Sequence, residues 1–508
     1  MSDVSANNRR VAKNTIYLYF RMLLIFLVGL YTSRIVLSTL GISDYGLYNV
    51  VGGVVSIFAF LNATLSSSTQ RFLTFELGTG DNLKLKRVFS TSLLIHILLI
   101  VFVLILAETV GLWFVKCKLN IEPGREVAAL WVYQFSIIAT CVQIFQLPFM
   151  STLIAHEKMS IYAYISIIEV VAKLLIVYVL QVSSCDKLIL YGFLYLIVIV
   201  LISTTYIVYC TKKFSEARIS LKSERPLFKQ MLSFSGWNLI GSVASVCNNQ
   251  VINILFNLFF GTVVNAARGV AYQVYGMINQ FASNFQVAVK PQVIKYYANG
   301  QMKEMKDLVF NSAKYSGFLL LFLSIPVFLE IDPLLSLWLG KYPDYTNTFV
   351  RIILCQMVIT SMTGPLMMVV HASGYLKNVG ITAGGMYLLV LPISYVCLKL
   401  GSTPIVPLIV YAIGTLIEPL LYLLWMNHYI GFPILDFYKE VYSKVLGLGL
   451  MMFIPALITH HYLTVDSNIL RVLIVGCVSV ICSGFVVLKW GIDESHRRAI
   501  LTKLHLMK

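Results

Sequence analysis

Charge is what this sequence has least of. Only 12% of its 508 residues are Asp, Glu, Lys or Arg, about half the share of a soluble globular domain, while 58% are hydrophobic. That leaves too little polar surface to coat water-facing cores, which excludes soluble enzymes and nucleic-acid-binding modules. No C-x-x-C pair occurs, and the nine cysteines are scattered, mostly through apolar runs, where they read as small packing residues. Cys117 and Cys185 are expected near one membrane face, and a disulfide between them stays open. A G-x-x-x-x-G-K-[ST] phosphate loop is lacking, and His156-Glu157 is not followed by a second His at zincin spacing. Aqueous loops are too short for a catalytic domain, so the chain is not read as an enzyme and no cofactor or metal is expected.

What is present is apolar sequence in blocks of about 20 residues, the length that crosses a bilayer. About fourteen such spans are expected, near 14–37, 45–68, 88–115, 127–153, 161–182, 188–209, 231–258, 269–289, 310–330, 350–370, 380–398, 404–426, 445–462 and 469–488. Arg9, Arg10 and Lys13 precede the first run as in a signal peptide, but that run is long, contains Arg21 and lacks an A-x-A site, so it reads as a retained span. With both termini cytoplasmic, about 27 of the 39 Lys and Arg fall on the cytoplasmic side. The loop with Lys116, Lys118 and Arg125 fits this orientation worst. Trp113, Trp131, Trp338, Trp425 and Trp490 lie near span ends, where headgroups favour the indole.

Two short matches recur at nearly one offset. Pro148, Met150 and Ala155 align with Pro365, Met367 and Ala372, while Lys86, Val88, Phe89 and Thr91 align with Lys306, Val309, Phe310 and Ser312. The offset is six spans, and an even number gives both halves one orientation. The expected fold is therefore an all-α polytopic membrane protein of two six-helix bundles plus two C-terminal helices. Its parts are 1–210, a cytoplasmic linker 211–230, 231–428, and 429–508 with the two additional helices and a cytoplasmic tail.

Polar groups inside spans are costly and usually face a bundle interior or a watery cavity. Advancing 100° per residue places Ser235, Asn238, Ser242, Ser245, Asn249 and Asn253 of the seventh span within about 80° of arc. Gln273, Gln280 and Asn284 form a second stripe on the eighth span, beside Gly269 and Gly276; on the second span Gln70 shares a face with Gly52, Ser56 and Ser67. Two readings stand for these stripes: the wall of a hydrophilic cavity, or hydrogen bonding in a dry helix interface. Arg21, Arg34 and Arg268 are either anion contacts or cations reaching toward headgroups. Glu169 precedes Lys173 by four residues, the spacing of an intrahelical ion pair. Glu418, just before Pro419, is a protonatable switch or a hydrogen-bonded acid. Glu169, Lys173 and Glu418 are thus the candidate coupling residues. Asp332 and Asp344, in the outward loop, are either a carboxylate pair or solvated loop charge. Pro148, Gly364 and Pro365 mark places where helices bend.

Several strings resemble a known family. Asn265-Ala266-Ala267-Arg268-Gly269-Val270, Ser283-Asn284-Phe285-Gln286, Lys290-Pro291-Gln292, Ala155-His156-Glu157-Lys158-Met159 and Ser33-Arg34-Ile35-Val36-Leu37 with Gly41 to Gly46 resemble bacterial polysaccharide transporters. These are the Wzx-like flippases of the MOP (MATE-like) superfamily, and the resemblance covers essentially the whole chain. It implies a flippase of the bacterial inner membrane that moves undecaprenyl-pyrophosphate-linked oligosaccharide, an O-antigen, capsule or exopolysaccharide repeat unit, to the periplasmic leaflet by alternating access. Implied partners are that lipid-linked substrate, membrane lipids, and the polysaccharide polymerase and glycosyltransferases of the same pathway, with no nucleic acid. On this resemblance Arg21, Arg34 and Arg268 would contact the pyrophosphate and the polar stripes would line the sugar path. Two alternatives remain: a membrane-embedded polysaccharide polymerase or ligase, which should carry a large outward loop, and a MATE-like exporter of drugs or small molecules, whose lumen should carry unpaired acids.

Overall fold

The computed structural model describes residues 2–56, 59–117, 121, 124–220, 224–260, 262–463, 465, 467–492, 494 and 497. Among them every regular element is helical: α1 (Ser2–Ser56), α2 (Ala59–Thr79), α3 (Asn82–Leu106), α4 (Leu112–Cys117), α5 (Glu126–Ala155), α6 (Met159–Val182), α7 (Lys187–Lys213), α8 (Arg225–Phe260) and α9 (Thr262–Ala298). The order continues with α10 (Met302–Leu329), α11 (Ile331–Leu339), α12 (Thr346–Ser373), α13 (Leu376–Lys399), α14 (Val406–Ile430), α15 (Ile434–Phe437), α16 (Lys444–Tyr462) and α17 (Asn468–Val486). Eleven spans among the described residues are long and apolar enough to cross a membrane. The 37-residue α9 is not one of them. It carries Gln273, Asn279, Gln280, Asn284 and Gln286 within its central turns, so its composition departs from that of a lipid-solvated helix.

The chain divides into two compact units, Met1–Leu239 with Ile294–Gly300, and Ile240–Val293 with Gln301–Lys508. In unit 1, α5 packs on α7, α2 and α3, and α1 packs on α6. Its outer helix faces are apolar: Ile16, Phe20, Leu23, Leu27 and Tyr31 on α1 are all exposed. Side chains so placed would be a liability in water and are the ordinary contact with lipid. In unit 2, α10 packs on α12, α16 and α17, while α14 packs on α12 and α13.

Two irregularities show how backbone groups stay satisfied without water, as a bilayer demands. The π-turn Ala107–Gly111 joins α3 to α4, and the Tyr133 hydroxyl of α5 donates to the Ala107 carbonyl at 2.7 Å. A β-carbon at Gly111 would lie 2.1 Å from that hydroxyl, so only glycine fits. In unit 2, Pro365 cannot donate to the carbonyl of Ser361. Gln286 of α9 fills the vacancy, its Nε2 donating at 3.1 Å, and the space is left by Gly364, where a β-carbon would lie 2.4 Å from the same amide.

Charges gather at helix ends. At one end of unit 1, Arg125 pairs with Asp44 and, at 2.5 Å, with Asp186. Asp44 of α1 and Asp186, just before α7, thus neutralise one of the three cations that made this loop look overly positive in sequence. Cys117 and Cys185 are both free, so no disulfide joins them. In unit 2, Glu330 at the end of α10 is bound by His460 Nδ1 at 2.6 Å and Arg471 Nε at 3.0 Å, tying α16 and α17 to α10. Asp332 keeps 44% of its side chain exposed, as expected of a solvated charge, but it is also partnered. It accepts from Asn347 at 2.7 Å, Arg351 at 2.8 Å and Tyr342 at 3.1 Å, because the short α11 returns the chain onto α12. Burial by itself would raise its pKa, yet Asn347, Arg351 and Tyr342 together hold it below the usual carboxylate value.

Candidate functional site

The stripe on α9 is a well-developed polar surface among the described residues of unit 2. Ala266, Gly269, Gln273, Gly276, Gln280 and Ser283 are all exposed, at intervals of three and four residues that keep them on one face. Asn284 is half-buried, its amide donating to the Gln280 carbonyl at 2.9 Å. Small and amide side chains thus occupy an exposed face that other helices fill with Leu, Ile and Phe. Such a face suits water or a hydroxyl-rich solute better than acyl chains.

Arg268 begins the same helix, but it does not reach into the open. It is 4% exposed, donates to Asn253 of α8, and sits 4.3 Å from the Tyr272 ring centroid. The ring and the amide replace part of the solvation that a cation loses on burial. Behind this helix lies a group of phenols ending at Glu418. Both carboxylate oxygens accept hydrogen bonds, from Tyr387 of α13 at 2.7 Å and from Tyr422, one turn along α14, at 2.7 Å. The Tyr411 ring lies tilted against that of Tyr387, with centroids 5.3 Å apart. Among the described residues no Lys, Arg or His is paired with Glu418, so its charge is met by dipoles alone. The acid is thus hydrogen-bonded, one of its two expected readings; Tyr422 was visible from its spacing of four, whereas Tyr387 is supplied by another helix.

In unit 1 the candidates form a different set. Arg21 lies 4.5 Å from the ring centroid of Tyr162 on α6, and its Nε is buried without a hydrogen-bond partner. Lys173 donates to Glu169 at 2.6 Å, the expected pair, and sits 4.9 Å from the Tyr195 ring. Gln70 is buried on α2. Ser235 was expected on a cavity wall and is instead 5% exposed, bonded to Ser68 of α2 at 2.8 Å; it makes a dry helix contact. Asn238 is half-buried. The side chains of Arg34, Ser242, Ser245 and Asn249 lie outside the described set.

No family model and no curated protein matches the sequence. Solved structures do. A MATE protein in the bent conformation aligns with a TM-score of 0.72 at 13% identity, over 86% of this chain and 97% of the other. A MOP superfamily transporter from Pyrococcus furiosus Vc1 (DSM3638), reported to have a binding pocket of reversed polarity that suggests a different function, aligns at 0.70 and 14%, over 84% and 96%. An outward-facing MATE family multidrug resistance transporter gives 0.68 and 14%, over the same shares. The chain has the fold of these MOP superfamily transporters. At such identities the likeness concerns backbone architecture and carries no residue of the site.

Proposed function

We propose that this protein is a transporter of the bacterial inner membrane, with both termini cytoplasmic, that moves undecaprenyl-pyrophosphate-linked oligosaccharide between leaflets by alternating access. The observation that carries the reading is the exposed amide and glycine face of α9. Sugar hydroxyls exchange hydrogen bonds with Gln273 and Gln280, and the glycines leave room for a bulky headgroup while the lipid tail stays in the bilayer. Arg268, 4% exposed beside this face, would have to leave Asn253 to meet the pyrophosphate. The fold of the structural neighbours supports transport by movement between two units, and the resemblance of the α9 strings to Wzx-like proteins supports the glycan. The pathway's polymerase and glycosyltransferases are the expected partners.

The test is transfer of a short-chain fluorescent polyprenyl-pyrophosphate oligosaccharide across proteoliposomes. Protein-dependent transfer that falls about tenfold in the Gln273→Leu, Gln280→Leu double variant, a loss of about 1.4 kcal/mol of pathway stabilisation, supports it. Absence of transfer with several glycans overturns it. A second reading rests on Glu418, an acid without a cationic partner among the described residues, as a MATE-like exporter of small cations would carry. Export of cationic dyes without glycan transfer would favour that reading.

A further inference from the structure

One string that the transport path does not use, Ala155-His156-Glu157-Lys158-Met159, lies at one end of unit 1, where Glu157 meets Lys295. The turn between α5 and α6 places Glu157 at φ +58°, a left-handed conformation that a glutamate adopts only when its surroundings fix it. Its neighbour is fixed too. His156 stacks on Phe214 at 4.1 Å and bonds Glu216 at 2.5 Å. The Glu157 side chain is fully buried, with Oε2 2.7 Å from Arg10 of α1 and Oε1 2.6 Å from Lys295 of α9.

Lys295 belongs to the last turns of α9, and these differ from the rest of that helix. Residues Ile294–Gly300 group with unit 1 while the preceding part of α9 groups with unit 2. Pro291 lies just before the change. It withholds the hydrogen bond that would stiffen the helix there, since a proline cannot donate to the carbonyl four residues back. Beyond it, α2 approaches closely: a β-carbon on Gly78 would lie 2.9 Å from Ala298 Cβ and 3.1 Å from Lys295 Cα. A weakened helix point followed by a close contact and an ion pair is the arrangement of a hinge with a catch.

We propose that Glu157 is a conformational latch: it holds the last turns of α9 to unit 1 through Lys295, and this contact opens, with Pro291 as the hinge, during the transport cycle. The latch needs movement and not a particular cargo, so it stands apart from the glycan reading. Arg10 keeps the carboxylate partnered when Lys295 leaves. A buried acid with two cations can release one without being stranded, whereas a single pair would leave an uncompensated charge.

Hydrogen exchange of the full-length protein in nanodiscs, with no substrate added, tests this by mass spectrometry. Glu157→Gln and Lys295→Met should each speed exchange of the amides of residues 294–300 about threefold or more, and the double variant should add little beyond the larger single effect. Arg87→Gln removes an ion pair at which both side chains are 52% exposed, with Glu224, and should leave residues 294–300 unchanged. Pro291→Ala, in transfer assays, should slow transport while leaving that segment protected. Unchanged exchange in 294–300, or an equal rise throughout unit 1, overturns the latch. If Glu157→Gln does not accumulate, Lys295→Met reads the same contact from its more exposed side. Rapid local exchange in a protein that transfers no glycan would retain the latch and remove the proposed cargo.

Discussion

Each unit holds a carboxylate at membrane depth, and the two are treated differently. Glu169 carries its own cation, Lys173, one turn away at 2.6 Å. Glu418 receives two phenolic hydrogen bonds at 2.7 Å and no cation among the described residues. A pair that is neutral in itself needs nothing from outside, so Glu169 and Lys173 suit a fixed structural role. An anion balanced only by dipoles is left to exchange its charge with an arriving proton or cation. The comparison makes Glu418 the residue to test for coupling and Glu169 with Lys173 the pair to test for bracing, although composition alone offered all three residues equally.

The strongest way to break this contrast is Glu418→Gln, which keeps the shape and one acceptor. Transport in proteoliposomes under an imposed proton or sodium gradient should fall more than about tenfold and lose its response to the gradient. A response retained in full would move coupling elsewhere. The next is a cycle on the other pair. Glu169→Gln alone strands a half-buried ammonium and should destabilise the detergent-purified protein by about 1 to 3 kcal/mol, whereas Glu169→Gln with Lys173→Met should recover most of that loss in thermal melting and keep transport within about threefold. A smaller difference is expected between two hydroxyl deletions. Tyr387→Phe removes a donor from Glu418 and should reduce gradient-driven transport about threefold, a loss of about 0.7 kcal/mol; Tyr195→Phe, beneath Lys173, should change it by less than half.

The smallest effect concerns acid, and it sharpens the contrast by adding a third carboxylate with mixed partners. Asp332, outside the spans and partly exposed, is held below its ordinary value by Asn347, Arg351 and Tyr342 against the opposing effect of partial burial. A depressed folded value contributes stability that is present above the unfolded pKa of about 3.9 and is lost as pH falls through the folded one. Melting temperature should therefore drop less between about pH 5 and pH 3 in Asp332→Asn than in the parent protein.

Local spacing made part of this legible. Glu169 with Lys173, Glu418 with Tyr422 and the Gln273 to Gln280 face of α9 all lie within single helices, where intervals of three and four residues fix neighbours. Contacts between helices were not available. The same periodicity that put Ser235 in a polar stripe could not show that Ser68 covers it, and nothing in the sequence announces Tyr387 beside Glu418 or Lys295 beside Glu157. The overall helical architecture was readable from apolar blocks, but α9 shows their limit: a helix with an exposed polar face is, like α2 and α8, not counted as a span by hydropathy. Part of the charge of the cationic loop was miscounted along the chain, since Asp44 and Asp186 neutralise Arg125 in space.

The bond from Gln286 to the Ser361 carbonyl has a mechanical consequence. By closing the gap that Pro365 leaves in α12, it makes that bend a rivet between two helices and takes it out of service as a joint. Residue 286 is thereby anchored on one side and residue 295 on the other, with Pro291 in the interval. Torsion applied to α9 has little chain in which to be absorbed. Any turn about Pro291 has to be taken up in the few peptide groups between residues 286 and 295.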